Sequence, residues 1–168
     1  GRHAAGGAGA GVQVGATAGG CFRVESPPRR VVLRSGGVGL TPMVSMLEAL
    51  VEHGSEVPVQ YIHGTHDRDT HAMRDHVRAL AAKGHAVRVI DFHQTPLADE
   101  VKGLDYDEAG IITDEWLVAN TPVAEADYYI CGPRPFLRHA VSTLSLAGVA
   151  SDRIHYEFFG PADELLAA

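Results

Sequence analysis

Val31-Val32-Leu33-Arg34-Ser35-Gly36-Gly37-Val38-Gly39-Leu40-Thr41-Pro42 is the stretch that decides the fold. A short β-branched run enters a glycine-dense turn, and Pro42 then opens a helix with Thr41 as its N-cap. Val44, Leu47 and Val51 follow at helical spacing, and Gly54 supplies a stop. This is the opening of a βα unit, and the alternation repeats downstream. Residues 57–62 read as a second strand and 71–83 as a helix with Met73, Val77 and Leu80 on one face. Further strands are expected at 86–92, 127–131 and 153–158, with helices at 114–118 and 136–146. The reading is therefore α/β: a doubly wound, five-stranded parallel sheet with helices on both faces. Ligands in such sheets sit beyond the carboxyl ends of the strands, so the motifs that matter should lie there.

Upstream of the first strand the composition changes. Eight of the 19 glycines fall in the first 20 residues, and residues 1–11 are almost all Gly and Ala. Such a segment buries too little apolar surface to offset its ordering entropy, so it is expected to be flexible. Val12-Gln13-Val14 and Cys21-Phe22-Arg23-Val24 form a short β remnant around a Gly-rich turn, and Pro27-Pro28-Arg29-Arg30 reads as a linker. The expected division is 1–26 for the flexible segment and β remnant, and 27–168 for the α/β domain. The first residue is Gly rather than Met, so the sequence is expected to begin inside something larger.

The 168 residues are 45% hydrophobic and 21% charged, with a formal charge of −7. That charge argues against a nucleic-acid partner working through phosphate neutralisation. No apolar run approaches the roughly 18 residues of a membrane span, so no membrane partner is expected. Two cysteines make no disulfide framework, which points to a reducing, cytoplasmic setting. Twelve of the 14 basic residues are Arg, which leaves room for local recognition of phosphate or carboxylate.

Two motifs sit at strand ends. In Gly36-Gly37-Val38-Gly39-Leu40-Thr41-Pro42 the glycines let the backbone approach a pyrophosphate, while the helix N-terminus offers unpaired N–H groups. It is neither a P-loop nor the full Rossmann fingerprint, since Pro42 replaces the third glycine and the second strand ends Tyr61-Ile62-His63-Gly64 without an acidic residue. The second motif is Cys131-Gly132-Pro133-Arg134-Pro135-Phe136, where Gly132 permits a close approach and Pro133 suits a first helical turn. Either turn alone could be plain βα geometry, and Cys131 alone a small buried hydrophobe.

Together with the tail Ile154-His155-Tyr156-Glu157-Phe158-Phe159-Gly160-Pro161, these motifs resemble the ferredoxin–NADP reductase superfamily, and most of all the C-terminal reductase domain of flavohaemoglobins, the nitric oxide dioxygenases. Tyr61-Ile62-His63-Gly64 and His71-Ala72-Met73 fit that subgroup too. The resemblance implies a ferredoxin-reductase-type NAD(P)-binding domain that takes NADH or NADPH and passes hydride to FAD. FAD would be held mainly by a β-barrel domain of the parent chain, and haem by a globin domain there. Gly37 to Pro42 would face the pyrophosphate, with Gly36 also counted as cofactor-binding, and Cys131, Gly132 and Pro133 the nicotinamide side. Glu157 would sit near the flavin and influence its potential. Phe159 would stack on the flavin ring, with Phe158, Gly160 and Pro161 beside it. The Arg-x-Tyr-Ser motif that grips FAD in this superfamily is not in the sequence, so the chain alone is expected to be incomplete for turnover. Alternative readings are a reductase component serving an iron–sulfur or oxygenase partner, and a non-catalytic nucleotide-binding module.

Other signals are weaker. His63, His66, His71 and His76 are spaced wrongly for a metal site on one helix face, and no metal is expected; a solvated face is the preferred reading. After the second strand, Arg68 would suit a 2′-phosphate and Asp67 a free 2′-hydroxyl, with NADH slightly favoured. The acidic run from Asp99 to Glu108 reads as a solvated loop, and Met43 and Met46 as core.

Overall fold

A computed structural model describes residues 12–15, 21–24, 27–36 and 40–158. The expectation of flexibility in residues 1–11 lies outside the described residues. Two short strands, β1 (Val12–Gly15) and β2 (Cys21–Val24), pair antiparallel as a separate two-stranded sheet. The α/β unit follows with β3 (Arg30–Gly36), α1 (Leu40–Glu52), β4 (Val59–Thr65), α2 (Arg74–Lys83) and β5 (Val87–His93). It continues with β6 (Glu108–Ala109), α3 (Asp114–Asn120), β7 (Ala126–Gly132), α4 (Arg134–Leu146) and β8 (Ile154–Phe158).

All pairings from β3 onward are parallel, in the order β6-β5-β4-β3-β7-β8. The five expected strands are all present, and the sheet has six because β6 adds a two-residue edge beside Phe92 and His93. The order reverses at β3, which has β4 on one side and β7 on the other. The turn after β3 therefore stands at the topological switch point, where a doubly wound sheet opens its crevice.

Each face of the sheet buries its own core. Val31, Leu33, Val59, Tyr61 and Tyr129 pack under α1 and α2 against Met43, Met46, Leu47 and Val77. Val32, Ile62, Tyr128 and Ile130 pack on the other face against Leu117 of α3 and Leu137 and Leu144 of α4. The alternation along β3, Val31 and Leu33 one way and Val32 the other, is the period-two pattern of a strand buried on both sides. Met43 and Met46 are fully buried, as expected of core residues.

Three helix starts differ from expectation, that of α2 (Arg74 instead of His71) and the two that follow the glycine motifs. Helix α1 begins at Leu40, so Thr41 lies inside its first turn and is not the N-cap. Pro42 is tolerated there because a first-turn amide has no intrahelical partner to lose. Helix α4 begins at Arg134, with Pro133 extended before it (φ −69°, ψ 161°) and Pro135 in the first turn. Helix α1 stops at Glu52, and Gly54 takes φ +64°, a left-handed value that suits glycine at a helix end.

Candidate functional site

Parallel pairing sets the carboxyl ends of four strands side by side. Gly36 of β3 is in register with Gly64 of β4, and Ser35 with both His63 and Cys131. On the other flank Cys131 is level with Glu157 and Gly132 with Phe158. Residues far apart in sequence thus form one row along the switch-point end of the sheet. A cavity of ≈ 590 Å³ opens there, lined among others by Arg34, Leu40, His63, Gly64 and Phe136. That volume is within the range of small-molecule and cofactor sites.

Of the residues chosen from sequence, Leu40 lines this cavity, Thr41 is exposed and Pro42 is buried. Cys131 and Gly132 are buried and Pro133 half-buried. Glu157 is half-buried, and burial pushes its carboxyl above the ordinary range. Phe158 is half-buried beneath the Arg134 guanidinium, 5.4 Å from the ring centroid. Gly37, Val38, Gly39, Phe159, Gly160 and Pro161 lie outside the described residues, and Gly36 is described in backbone only.

Gly132 is set by a neighbour from α4. A Cβ built on it would fall 2.5 Å from Cδ1 and 2.9 Å from Cε1 of Phe136. The ring lies where a side chain at position 132 would be. Over that ring stands the Arg34 guanidinium, 4.6 Å from the centroid. Arg34 is buried at 8% exposure, and burial pushes its pKa down to about 10, with the field of Asp114 acting the other way.

Beneath the cavity lies a hydrogen-bonded array that sequence reasoning missed. Ser35 Oγ and His63 Nδ1 are 2.8 Å apart, and the His63 and His71 rings lie 5.3 Å centre to centre. His71 Nδ1 meets His93 Nε2 at 2.9 Å, and its Nε2 faces Asp91 Oδ1 at 3.5 Å. His93 Nδ1 bonds to Glu100 Oε1, and Asp91 Oδ2 accepts from Arg78 at 3.2 Å. Two imidazoles thus stand in line between two carboxylates.

The electrostatics follow the same geometry. Burial, and next the neighbouring His71, push the His63 pKa down to about 4. Burial pushes the Asp91 carboxyl up, but His71, Arg78 and His63 together pull it below its ordinary value. Glu100 behaves likewise. The cost of burial is outweighed by the Leu97 N–H, the His93 ring and the Arg68 N–H, leaving its carboxyl low.

These contacts correct two readings. His63 and His71 are interior, whereas His66 and His76 are exposed, so the four histidines do not share a solvated face. The cause is local: α2 begins only at Arg74, and Met73 at φ 60° turns the preceding segment inward. The acidic run is not simply solvated either. The Glu100 side chain is wholly buried, and Asp107 accepts from Asp91 N–H at 2.7 Å. Among the described residues, no group of three or more His, Cys, Asp or Glu could hold a metal ion, and no helix is long and apolar enough to cross a membrane. Asp67 caps a 3₁₀ turn through Thr70 N–H, and Arg68 pairs with Asp99 at 2.9 Å.

A doubly wound parallel sheet with a cofactor-sized cavity at its switch point defines a nucleotide-binding α/β domain. Residues 33–142 match the oxidoreductase NAD-binding domain family, and the chain belongs to that family. It is 52% identical over 141 residues to a flavohemoprotein of Xylella fastidiosa strain Temecula1, covering 83% of this chain and 34% of that protein. A Bacillus cereus flavohemoprotein is 43% identical over 135 residues, covering 80% of this chain and 34% of the relative. The chain thus spans about a third of the length of the curated relatives it matches. Among solved structures, the flavohem-like FAD/NAD-binding domain of nitric oxide dioxygenase from Vibrio cholerae is 30% identical with a TM-score of 0.66, covering 81% of this chain and 53% of that one. The flavohemoglobin of Malassezia yamatoensis, solved with bound FAD and heme, is 26% identical at the same TM-score of 0.66, covering 79% of this chain and 32% of that one.

Proposed function

We propose that this chain is the NAD(P)H-binding part of a flavin-dependent oxidoreductase of the nitric oxide dioxygenase type. It passes hydride from nicotinamide to FAD, and the parent protein sends electrons on to haem. The observation that supports this most directly is the row of strand ends: Gly64 lining the cavity with Gly36 in register beside it, and on the other flank of β3 Cys131 level with Glu157 and Gly132 with Phe158.

The residues present fit a dinucleotide. The cavity is large enough, the strand ends near it are glycines, and a buried arginine lines it. For FAD the fit is one-sided: Glu157 and Phe158 offer an edge, and the motif that would grip the flavin is absent from the sequence. We therefore assign residues 27–168 to nucleotide binding, read the part of 1–26 that follows the Gly/Ala-rich start as the remnant of an FAD-binding barrel, and leave haem to a globin domain of the parent. With two cysteines and no disulfide framework in the sequence, a reducing cytoplasm suits the whole.

When bound, the dinucleotide supplies the hydride, and the chain's work is positioning. Gly132 keeps the end of β7 bare of side chain. Pro133 and Phe136 fix the turn behind it. Phe158 bounds the flavin side, where by the resemblance Phe159 would stack on the flavin ring, and a charged Glu157 there would disfavour added negative charge on the flavin. Arg68, already engaged by Asp99, offers little to a 2′-phosphate, which favours NADH over NADPH. The test is anaerobic mixing of this chain with NADH and an FAD-loaded barrel domain from a flavohemoprotein. Bleaching of the flavin absorbance is expected; a folded pair that leaves the flavin oxidised overturns the proposal.

A further inference from the structure

Arg34 occupies a position that packing alone would give to an apolar residue. It follows Val31-Val32-Leu33 in a strand paired on both sides, and it points to the same face as Val32, toward α3 and α4. Yet it is an arginine at 8% exposure. Of its five N–H donors, the one hydrogen bond among the described residues runs from Nη1 to the Ser35 carbonyl at 2.7 Å. No carboxylate forms an ion pair with it among the described residues. Asp114, whose field reaches it, gives its Oδ2 to His139 at 2.8 Å and to the Thr143 hydroxyl at 2.8 Å. A buried cation without a counter-charge is costly, and its retention calls for an anion that arrives from elsewhere.

The surroundings say where that anion sits. Arg34 lines the ≈ 590 Å³ cavity and also a neighbouring one of ≈ 310 Å³, and Phe136 and Ile112 are shared between them. Leu40, the first residue of the 13-residue helix α1, lines the larger cavity as well. The unpaired amides of that helix start and the guanidinium therefore border the same space. The Phe136 ring, with its centroid 4.6 Å from the guanidinium carbon, borders one side of the group.

We propose that Arg34 is the counter-charge for the pyrophosphate of the bound dinucleotide, gripping its oxygens with the guanidinium fork. This rests on the nucleotide-site reading above and adds to it a binding residue placed on the strand, outside the glycine turn. Two consequences follow. Affinity depends on the fork as well as on the charge, and binding supplies a direct counter-charge that the described residues do not.

The test uses the full 168-residue chain, with NADH and ADP-ribose titrated calorimetrically into wild type, Arg34→Met and Arg34→Lys. Both ligands carry the pyrophosphate, so both should bind Arg34→Met roughly 10- to 100-fold more weakly, the loss expected for a charge-assisted hydrogen bond. Arg34→Lys should fall between, because it keeps charge and loses the fork. Melting of the ligand-free Arg34→Met protein should be no lower than wild type, while the upward shift produced by NADH shrinks. A purely structural Arg34 would instead lower the ligand-free melting temperature and leave the dissociation constants of the folded variants unchanged. Wild-type affinity in Arg34→Met or Arg34→Lys overturns the assignment alone. Failure of wild type to bind either ligand overturns the site reading and this assignment with it.

Discussion

Replacing Gly132 by Ala tests how the second glycine motif is built. The added Cβ would stand 2.5, 2.9 and 3.3 Å from Cδ1, Cε1 and Cγ of Phe136. Carbon atoms pack best at about 3.5–4.0 Å, so the ring must retreat by roughly an ångström. It is a poor candidate for retreat, because the Arg34 guanidinium lies 4.6 Å from its centroid. Over-packing of this kind costs about 1–3 kcal/mol. For a domain of this size each kcal/mol moves the melting temperature by about 2–4 °C. Urea unfolding, followed by fluorescence of the single Trp116 packed edge-on against Phe92, would measure it. The same substitution in a Phe136→Ala background should cost less than about 0.5 kcal/mol, so the two changes should couple by about 0.5 kcal/mol or more. An equal cost in both backgrounds would refute the reasoning, because the penalty would then not come from the ring.

Three other outcomes are expected. His63 has a folded pKa of about 4 against 6.5 unfolded, so the unfolded chain takes up a proton that the folded one refuses. Its contribution is fully present above pH 6.5 and is lost as pH falls toward 4, by up to roughly 3 kcal/mol; His63→Gln should flatten the stability profile in that window, and parallel urea midpoints would contradict it. Thr113 Oγ1 accepts the Trp116 N–H at 3.1 Å as the N-cap of α3, so Thr113→Ala should cost about 1 kcal/mol by chemical denaturation. Asp99→Asn releases Arg68, which should raise affinity for NADPH relative to NADH in a side-by-side titration; an unchanged ratio would show that Arg68 lies away from the ribose.

Much of this was legible in the chain because local signals and the global fold agree. The β-branched run, the glycine turn and the helical spacing after Pro42 all state βα, and the five main strands follow from repetition. The strand-end motifs could be placed at the ligand side because parallel sheets put them there. What escaped depends on contacts between distant segments. Strand β6 is only Glu108-Ala109, with no apolar pattern; it exists because Phe92 and His93 offer it an edge. Glu100 sits in an acidic run that looks solvated, and His93 on another strand is what draws it inside. His71 looked helical because residues 71–83 keep the spacing, while the left-handed turn at Met73 leaves no mark in the pattern. Arg34 carries no motif at all, and its burial next to Phe136 appears only when β3 and α4 are brought together.

The reversal of strand order at β3 has a consequence for how the molecule comes into being. On one side β3 meets β4, which follows after a single helix. On the other it meets β7, and the accompanying Arg29–Asp127 pair joins residues 98 apart in sequence. During synthesis, the strand that carries the glycine turn must wait with one edge of backbone N–H and C=O groups unpaired until β7 has left the ribosome. A chain stopped before Ala126 would thus lack half of the crevice and would also present Val31-Val32-Leu33 as a bare template for aggregation.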